Sequence, residues 1–187
     1  MDRYSRSGVD LDAASRAVDL IRDIAAGATR PEVVAGVGGF AGLYRLDERR
    51  LLAAAADGVG TKVEIARMAG PLDTVGIDLV AMCADDLVCT GAEPLFLLDY
   101  VVVGDLVPED VAAIVEGIAE GCRRAGCALL GGETAEHRGH LRPGSFDLAG
   151  FCVGLVEEDH VLGPHRVRAG DALIGLPSSG LHANGFS

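Results

Sequence analysis

Three short acidic stretches hold the side chains of this chain that could do chemistry. Carboxylates are hard oxygen ligands of the kind Mg²⁺ prefers, glycine lets backbone N–H groups approach a phosphate closely, and a lysine adds positive charge. Together these groups predict a site for a phosphate-bearing nucleotide such as ATP, held with Mg²⁺. The residues are Asp57, Gly58, Gly60, Thr61 and Lys62 in ADGVGTK; Asp85 and Asp86; and Gly132, Glu133 and Thr134 in GGET.

Each stretch also has a simpler interpretation. DGVG is typical of an ordinary turn, the Asp85-Asp86 pair of a solvated helix face, and GGET of a turn with a helix N-cap. The G-x-x-x-x-G-K-[ST] spacing of a P-loop is absent. Asp10 could be a helix cap or a distant ligand, and His182 a base, a phosphate contact or a surface group.

Helical spacing separates the acids between residues 74 and 90. Asp78 and Asp85 are seven residues apart, so both lie on one stripe of a helix with Met82 between them. Asp86 is turned away from Asp78 by close to a quarter circle. The two neighbouring acids therefore face different directions.

Composition limits the classes of function. The 187 residues are 49% hydrophobic, which predicts a folded core, and the net charge of −12 argues against a nucleic-acid partner. The five cysteines include no C-x-x-C pair, which argues against a zinc site and a disulfide framework and predicts reduced thiols in a cytoplasmic protein. We expect no membrane span, since no apolar stretch reaches the ~18 residues required.

The pattern along the chain predicts an α+β fold, with a mixed sheet and helices on one face. Helices are expected over about 11–26, over 74–90 and after Pro108. Strands are expected near 41–46, over 94–104 and over 146–157. LLAAAADGVG (51–60) is expected to be a strand leading into a loop, and CALLGGET (127–134) a short strand running into a turn. The glycine-rich stretch 31–42 is expected to be mobile. Residues 1–165 are predicted to form one domain, and residues 166–187 the cut-short start of a second α+β domain that opens with a strand.

Six stretches of the sequence resemble one enzyme family, aminoimidazole ribonucleotide synthetase, also called phosphoribosylformylglycinamidine cyclo-ligase. The resemblance covers essentially the whole chain. The stretches are SGVD (7–10), ADGVGTK (56–62), GIDLVAMCADDLVCTGAEPLFLLDY (76–100), GIAEGCRRAGCALLGGETAE (117–136), DLAGFCVGLVE (147–157) and SSGLHANGFS (178–187).

The resemblance implies ATP-dependent ring closure of formylglycinamidine ribonucleotide to aminoimidazole ribonucleotide, a step of purine biosynthesis. ATP would phosphorylate the formyl oxygen, and the neighbouring amidine nitrogen would then close the ring. It also implies a homodimer whose first domains pair their sheets into a shared barrel. Mg²⁺ would be held by Asp57, Asp86 and Glu133, with Lys62, Asp57 and His182 acting in catalysis.

The implied nucleotide-binding set is larger and consists of Asp10, Asp57, Gly58, Gly60, Thr61, Lys62, Asp85, Asp86, Gly132, Glu133 and Thr134. The family commonly has Asn-Asp where this chain has Asp85-Asp86, which adds a negative charge beside the expected metal. The family also continues into a complete second domain, so we expect this chain alone to dimerise but to show little or no turnover.

Two alternatives stay open. One is another ATP-dependent enzyme of the same superfamily, such as selenophosphate synthetase. That enzyme usually carries a reactive cysteine or selenocysteine in an N-terminal loop, and no cysteine occurs before Cys83 here. The other is a non-catalytic module for nucleotide binding or dimerisation.

Overall fold

A computed structural model describes Gly8 and residues 10–186; Ser7 and Val9 of the SGVD stretch lie outside the described residues. In this part of the chain there are four α-helices and six strands. The helices are α1 (Leu11–Ala26), α2 (Lys62–Ala69), α3 (Val75–Val88) and α4 (Pro108–Ala125). The strands are β1 (Val33–Ala35), β2 (Gly42–Arg45), β3 (Arg50–Gly58), β4 (Glu93–Val103), β5 (Ala128–Glu136) and β6 (Phe146–Glu157).

All six strands form one sheet in the order β1-β2-β3-β6-β4-β5. The neighbours from β1 to β4 pair antiparallel, and β5 pairs parallel with β4. Because parallel neighbours need a long crossover connection, α4 lies between β4 and β5 in the chain. The predicted α+β class with a mixed sheet is confirmed.

The core lies on one face of this sheet. Alternate residues of β6, from Phe146 through Leu148 and Cys152 to Val156, are buried, as a strand with one covered face requires. Helix α3 packs on β3 and β6, and α4 packs on β4 and β5. Neither α3 nor α4 covers the opposite face of the sheet.

Small residues let α3 and α4 approach closely. A Cβ added to Gly76 of α3 would lie 2.3 Å from the backbone nitrogen of Ile118, and one added to Gly117 of α4 would lie 2.4 Å from the carbonyl oxygen of Asp73. Neither position has room for any other side chain. The two helices therefore touch backbone to backbone, and α3 is held deep against β6.

The ends of α4 follow from its sequence. Pro108 stands at the first helical position, where its missing N–H costs no hydrogen bond. Gly126 ends the helix in the left-handed conformation with φ 72°. The N–H of Cys127 then donates to the carbonyl of Cys122, which returns the chain to the start of β5.

Four local features differ from the prediction. The GGET motif (131–134) lies within β5, where a turn was expected. Helix α2 and strand β1 are present where only a loop was expected, and the strand expected at the start of the second domain is absent from the described residues. Leu173, Ile174 and Leu176 in that stretch are exposed and unpaired. A strand gains its stability from a paired neighbour, and no described residue provides one there.

Helix α1 begins where Asp10 caps it, as its sequence predicts, but none of its residues is buried. Its apolar stripe, which includes Val18 and Ile21, stays exposed. The side chain of Arg22 bonds to the backbone of the glycine-rich stretch, since its Nε donates to the Val37 carbonyl at 3.4 Å. None of the helices in the described part of the chain combines the length and apolar character that a bilayer crossing requires.

Substitution of Gly76 by alanine tests the α3–α4 contact. Alanine favours a helix over glycine by about 1 kcal/mol, but here its methyl group would overlap the α4 backbone. We expect Gly76→Ala to lower the free energy of unfolding by about 1–3 kcal/mol in urea titrations, the cost of overpacking a core. Gly175→Ala, where an added Cβ meets nothing within 4 Å, is the control. Equal stability of the two variants would contradict the contact.

Candidate acidic site beside helix α3

Asp57 lies near the end of β3, on the covered face of the sheet. It pairs in register with Gly150 of β6, where an added Cβ would lie 2.9 Å from the Cys83 sulfur of α3. The Asp57 side chain is half-buried, and its Oδ1 accepts a hydrogen bond of 2.7 Å from the Gly58 N–H. The strand thus places this carboxylate directly beside α3.

Asp86 of α3 lies near enough to Asp57 for the two carboxylates to interact. It follows Cys83 by three residues, so it lies on the same helix face. Burial, the Asp57 carboxylate and then the Asp85 carboxylate raise the pKa of Asp86 above its usual value. In the part of the chain that the structure describes, no lysine or arginine forms an ion pair with Asp57 or Asp86.

The Cys83 thiol lies beneath both acids. Burial raises its pKa to about 11, the N–H of Asp57 opposes that shift, and the carboxylates of Asp57 and Asp86 add to it. Cys83 is fully buried, and because its pKa is raised, its thiol is uncharged at neutral pH. The sequence predicted reduced thiols but gave no sign of this one's position.

Asp85 faces away from Asp86, as the helical spacing predicts. It lines a cavity of about 530 Å³ together with Asp78 and Met82, closed on the other side by residues 180–184. In that segment, Ala183 is buried and the Asn184 side-chain amide donates to the Met82 sulfur at 3.5 Å. Asp85 therefore lines the 530 Å³ cavity, whereas Asp86 lies near Asp57.

Lys62 is the first residue of α2 and forms an ion pair with Asp78 of α3. Its Nζ lies 2.6 Å from Asp78 Oδ2. The same ammonium lies 5.4 Å from the centre of the Phe186 ring, within the range of a cation–π contact. The sequence predicted Lys62 as a phosphate contact but did not predict either partner.

Asp99 of β4 explains why Gly132 is a glycine. It pairs with Gly132 of β5, and its carboxylate occupies the space that a side chain at Gly132 would need. Asp99 is buried, and that burial raises its pKa. The first half of the GGET motif therefore accommodates a buried acid.

Glu133 is not brought to the Asp57–Asp86 pair within one chain. Asp57, Gly150, Asp99 and Gly132 form one row across four strands. Neighbouring strands lie about 4.8 Å apart, so Asp57 and Gly132 are about 14 Å apart. Glu133 follows Gly132, pairs with Tyr100 and is exposed, and Thr134 pairs with Val101.

The remaining predicted residues lie at several places. Asp10 caps α1, where its Oδ1 accepts from the Ala13 N–H at 2.9 Å. Gly60 and Thr61 line a cavity of about 720 Å³ with Arg67 of α2 and the loop before β6. The His182 Nε2 lies 2.8 Å from the Ser179 hydroxyl, at the edge of the 530 Å³ cavity.

Another group of ligand-type side chains lies at the far end of β6. Ligand atoms of Glu157, Asp159 and His160 lie within 4.8 Å of one another. Glu157 already faces Arg49, whose Nη2 is 3.6 Å from its carboxylate. These side chains are largely exposed, and we assign no site to them.

Comparison with known proteins identifies the family. The family described as AIR synthase related protein, N-terminal domain, matches residues 38–156, which span β2 to β6 and both acids of the pair. The chain belongs to this family.

Particular relatives extend the match. The chain is 54% identical over 187 residues to a protein of Synechococcus sp. strain CC9311 and 55% identical over 188 residues to one of Myxococcus xanthus strain DK1622. Both are named phosphoribosylformylglycinamidine cyclo-ligase. Each match covers 98% of this chain and 54% of the relative, so the chain spans about half the length of these curated relatives.

Solved structures share the fold. A protein of Thermus thermophilus, tt0281, is 28% identical with a TM-score of 0.61, over 76% of this chain and 44% of that one. AaThiL, crystallised with AMPPCP and TMP, is 19% identical with a TM-score of 0.59, over 74% of this chain and 41% of that one. At 19% identity, the likeness to AaThiL concerns the fold alone.

The buried acid at Asp99 gives a pH-dependent prediction. A pKa raised by folding means that the folded state holds its proton more tightly, so this carboxyl destabilises the fold once pH rises through its folded pKa. We expect Asp99→Asn to raise the midpoint of thermal unfolding at pH 7. The gain should shrink as pH falls toward the ordinary aspartate pKa of about 3.9. Asp12→Asn, an exposed control, should show no such trend; a gain at Asp99 independent of pH would contradict this account.

Proposed function

We propose that this chain binds Mg·ATP at the Asp57–Asp86 pair as part of a phosphoribosylformylglycinamidine cyclo-ligase. The reaction is the ring closure of formylglycinamidine ribonucleotide to aminoimidazole ribonucleotide, with ATP converted to ADP and phosphate. The convergence of two half-buried carboxylates, from β3 and α3, carries the proposal. Soluble, cytoplasmic purine synthesis is the setting we infer.

The names of relatives support the choice of reaction. The similar proteins of Synechococcus and Myxococcus xanthus are named for it, at 54% and 55% identity. Proteins with the same fold bind related ligands, since Thermotoga maritima PurL has been crystallised with ADP and with FGAR. Because the named relatives are about twice as long, we assign nucleotide binding to these 187 residues and expect them alone to give little turnover.

The acid pair fits a hard divalent cation. The Asp57 carboxylate helps to raise the pKa of Asp86, and neither acid has a basic partner among the described residues, so a bound cation can balance the negative charge of the pair. Mg²⁺, when bound, would neutralise phosphate oxygens as well as these carboxylates. Asp57 and Asp86 are the ligands we propose from this chain.

Other residues of the site act by position and charge. Lys62 follows Asp57 by five residues and holds its ammonium at the start of α2, where it can face a phosphate. The turn between them contains Gly60 in the left-handed conformation, with φ 70°. Phosphoryl transfer depends mainly on such placement of charge. Glu133, about 14 Å along the row, would reach the ligand at another phosphate or in a site completed by a second copy.

Asparagine at the two acids tests nucleotide binding. Asp57→Asn and Asp86→Asn keep the shape of the side chain but remove the charge that a metal needs. We expect each to weaken Mg·ATP binding at least tenfold, about 1.4 kcal/mol, in calorimetric titrations of the 187-residue chain. Glu48→Gln, an exposed acid just before β3, is the control. Unchanged Mg·ATP affinity in both aspartate variants would rule out the site.

We further propose that the uncovered sheet face binds a second copy of the chain. Leu98 of β4 and Phe151 of β6 are register partners there, 37% and 47% exposed. Ala54 of β3 and Val153 of β6, which are also register partners, extend this apolar surface. Antiparallel sheets can leave one face to water only when that face is polar, and this one is not.

A charge on this face should prevent the pairing. We expect the unaltered chain to be a dimer in light scattering at micromolar concentration, and Leu98→Arg and Phe151→Arg to shift it to monomer. Leu173→Arg changes a fully exposed leucine away from the sheet and should leave the mass unchanged. A monomeric unaltered chain, or dimers in both sheet variants, would refute the second-copy proposal.

A further inference from the structure

Lys62 is unusual in this chain because it is the single lysine. All other members of the 16 lysine and arginine residues are arginines. Arginine binds carboxylates in a rigid two-pronged geometry, whereas lysine ends in a compact ammonium on a flexible stem. A lone lysine that is to contact a phosphate therefore needs something to fix its position.

We propose that Asp78 is a positioning residue that holds the Lys62 ammonium in place for a phosphate group of the nucleotide. The inference rests on the proposed function and extends it to a residue outside the acid pair. Asp78 lies in the first turn of α3, and Lys62 is the first residue of α2. Their 2.6 Å contact joins the start of α2 to the first turn of α3.

The burial of the pair favours a fixed geometry. The Lys62 and Asp78 side chains are 23% and 15% exposed, whereas every partner in the other ion pairs of the described residues is at least 31% exposed. Exposed pairs of long side chains exchange freely with water, whereas a largely buried pair keeps its partners. The Phe186 ring restricts the position of the Lys62 ammonium on another side, with 5.4 Å between Nζ and the ring centre.

Asp78 is better placed for this role than Asp85. Both line the 530 Å³ cavity, but Asp85 follows two helical turns later and forms no ion pair in the described part of the chain. Asp78 also benefits from its place at a helix N-terminus, where negative charge is favoured. Its carboxylate oxygen lies 2.6 Å from the Lys62 ammonium, which leaves the other ammonium hydrogens available to a phosphate.

A simpler role would be to fasten α2 to α3 without any effect on ligand. The two roles differ in a measurable way. If Asp78 acts through Lys62, its removal should weaken nucleotide binding only while Lys62 is present. If it only fastens helices, its removal should have the same effect in both backgrounds.

The single lysine makes the ion pair directly observable. Selective labelling with lysine enriched in ¹⁵N at Nζ gives one side-chain signal. We expect a slowly exchanging ammonium signal in the unaltered chain, loss of that signal in Asp78→Asn, and its retention in Asp78→Glu. An unchanged signal in Asp78→Asn would show that the carboxylate does not hold the ammonium and would overturn the proposal.

A double-mutant cycle tests the effect on binding. We expect Asp78→Asn and Lys62→Met each to weaken Mg·ATP binding about tenfold, and the double variant to bind no more weakly than Lys62→Met, as residues acting as a unit do. Asp110→Asn, in the first turn of α4, controls for loss of an acid at a helix N-terminus. Urea titrations confirm that each variant is folded under the binding conditions.

The outcomes separate the two proposals. Equal losses from Asp78→Asn with and without Lys62 would overturn the positioning role while leaving Mg·ATP binding intact. No Mg·ATP binding by the unaltered chain would overturn the proposed function and, with it, a role for Asp78 toward phosphate. The Nζ signal would then still report whether the ion pair exists.

Discussion

The depth at which α3 lies against the sheet is the constraint on which the rest of the structure depends. Gly76 and Gly117 let the backbones of α3 and α4 touch, and Gly150 and Gly154 of β6 let α3 approach the sheet. At that depth Asp86 meets Asp57, Asp78 reaches Lys62, and Cys83 fills the space below the acids. One packing arrangement thus sets the geometry of both charged contacts.

Charge is distributed around α3 in a way that packing alone does not require. Two half-buried acids on one side have no basic partner among the described residues, whereas the acid on the neighbouring stripe has the only lysine of the sequence. Burial of uncompensated carboxylates lowers stability, and a protein keeps such an arrangement where a ligand supplies the missing charge. The Mg²⁺ that we propose at this acid pair would supply that charge.

Local patterns made much of this fold predictable. The long apolar strands β4 and β6, the capped start of α1 and the Pro108 and Gly126 ends of α4 all carry strong signals. Helix α2 was missed because its eight residues follow a glycine turn, and β1 because three residues give no periodicity. The structure brings two of the candidate acids, Asp57 and Asp86, near each other, whereas the distance of Glu133 depends on strand order, since β6 and β4 separate β3 from β5.

The central place of β6 affects how the chain must fold. It is the last strand of the described residues, yet it joins β3 to β4. During synthesis, the β1-β2-β3 hairpins and the β4-α4-β5 unit each expose an open strand edge until residue 157 is available. Pairing across such long separations is slow, and open edges invite association with other chains. Nascent chains that stop before β6 should therefore depend on chaperones far more than chains only a dozen residues longer.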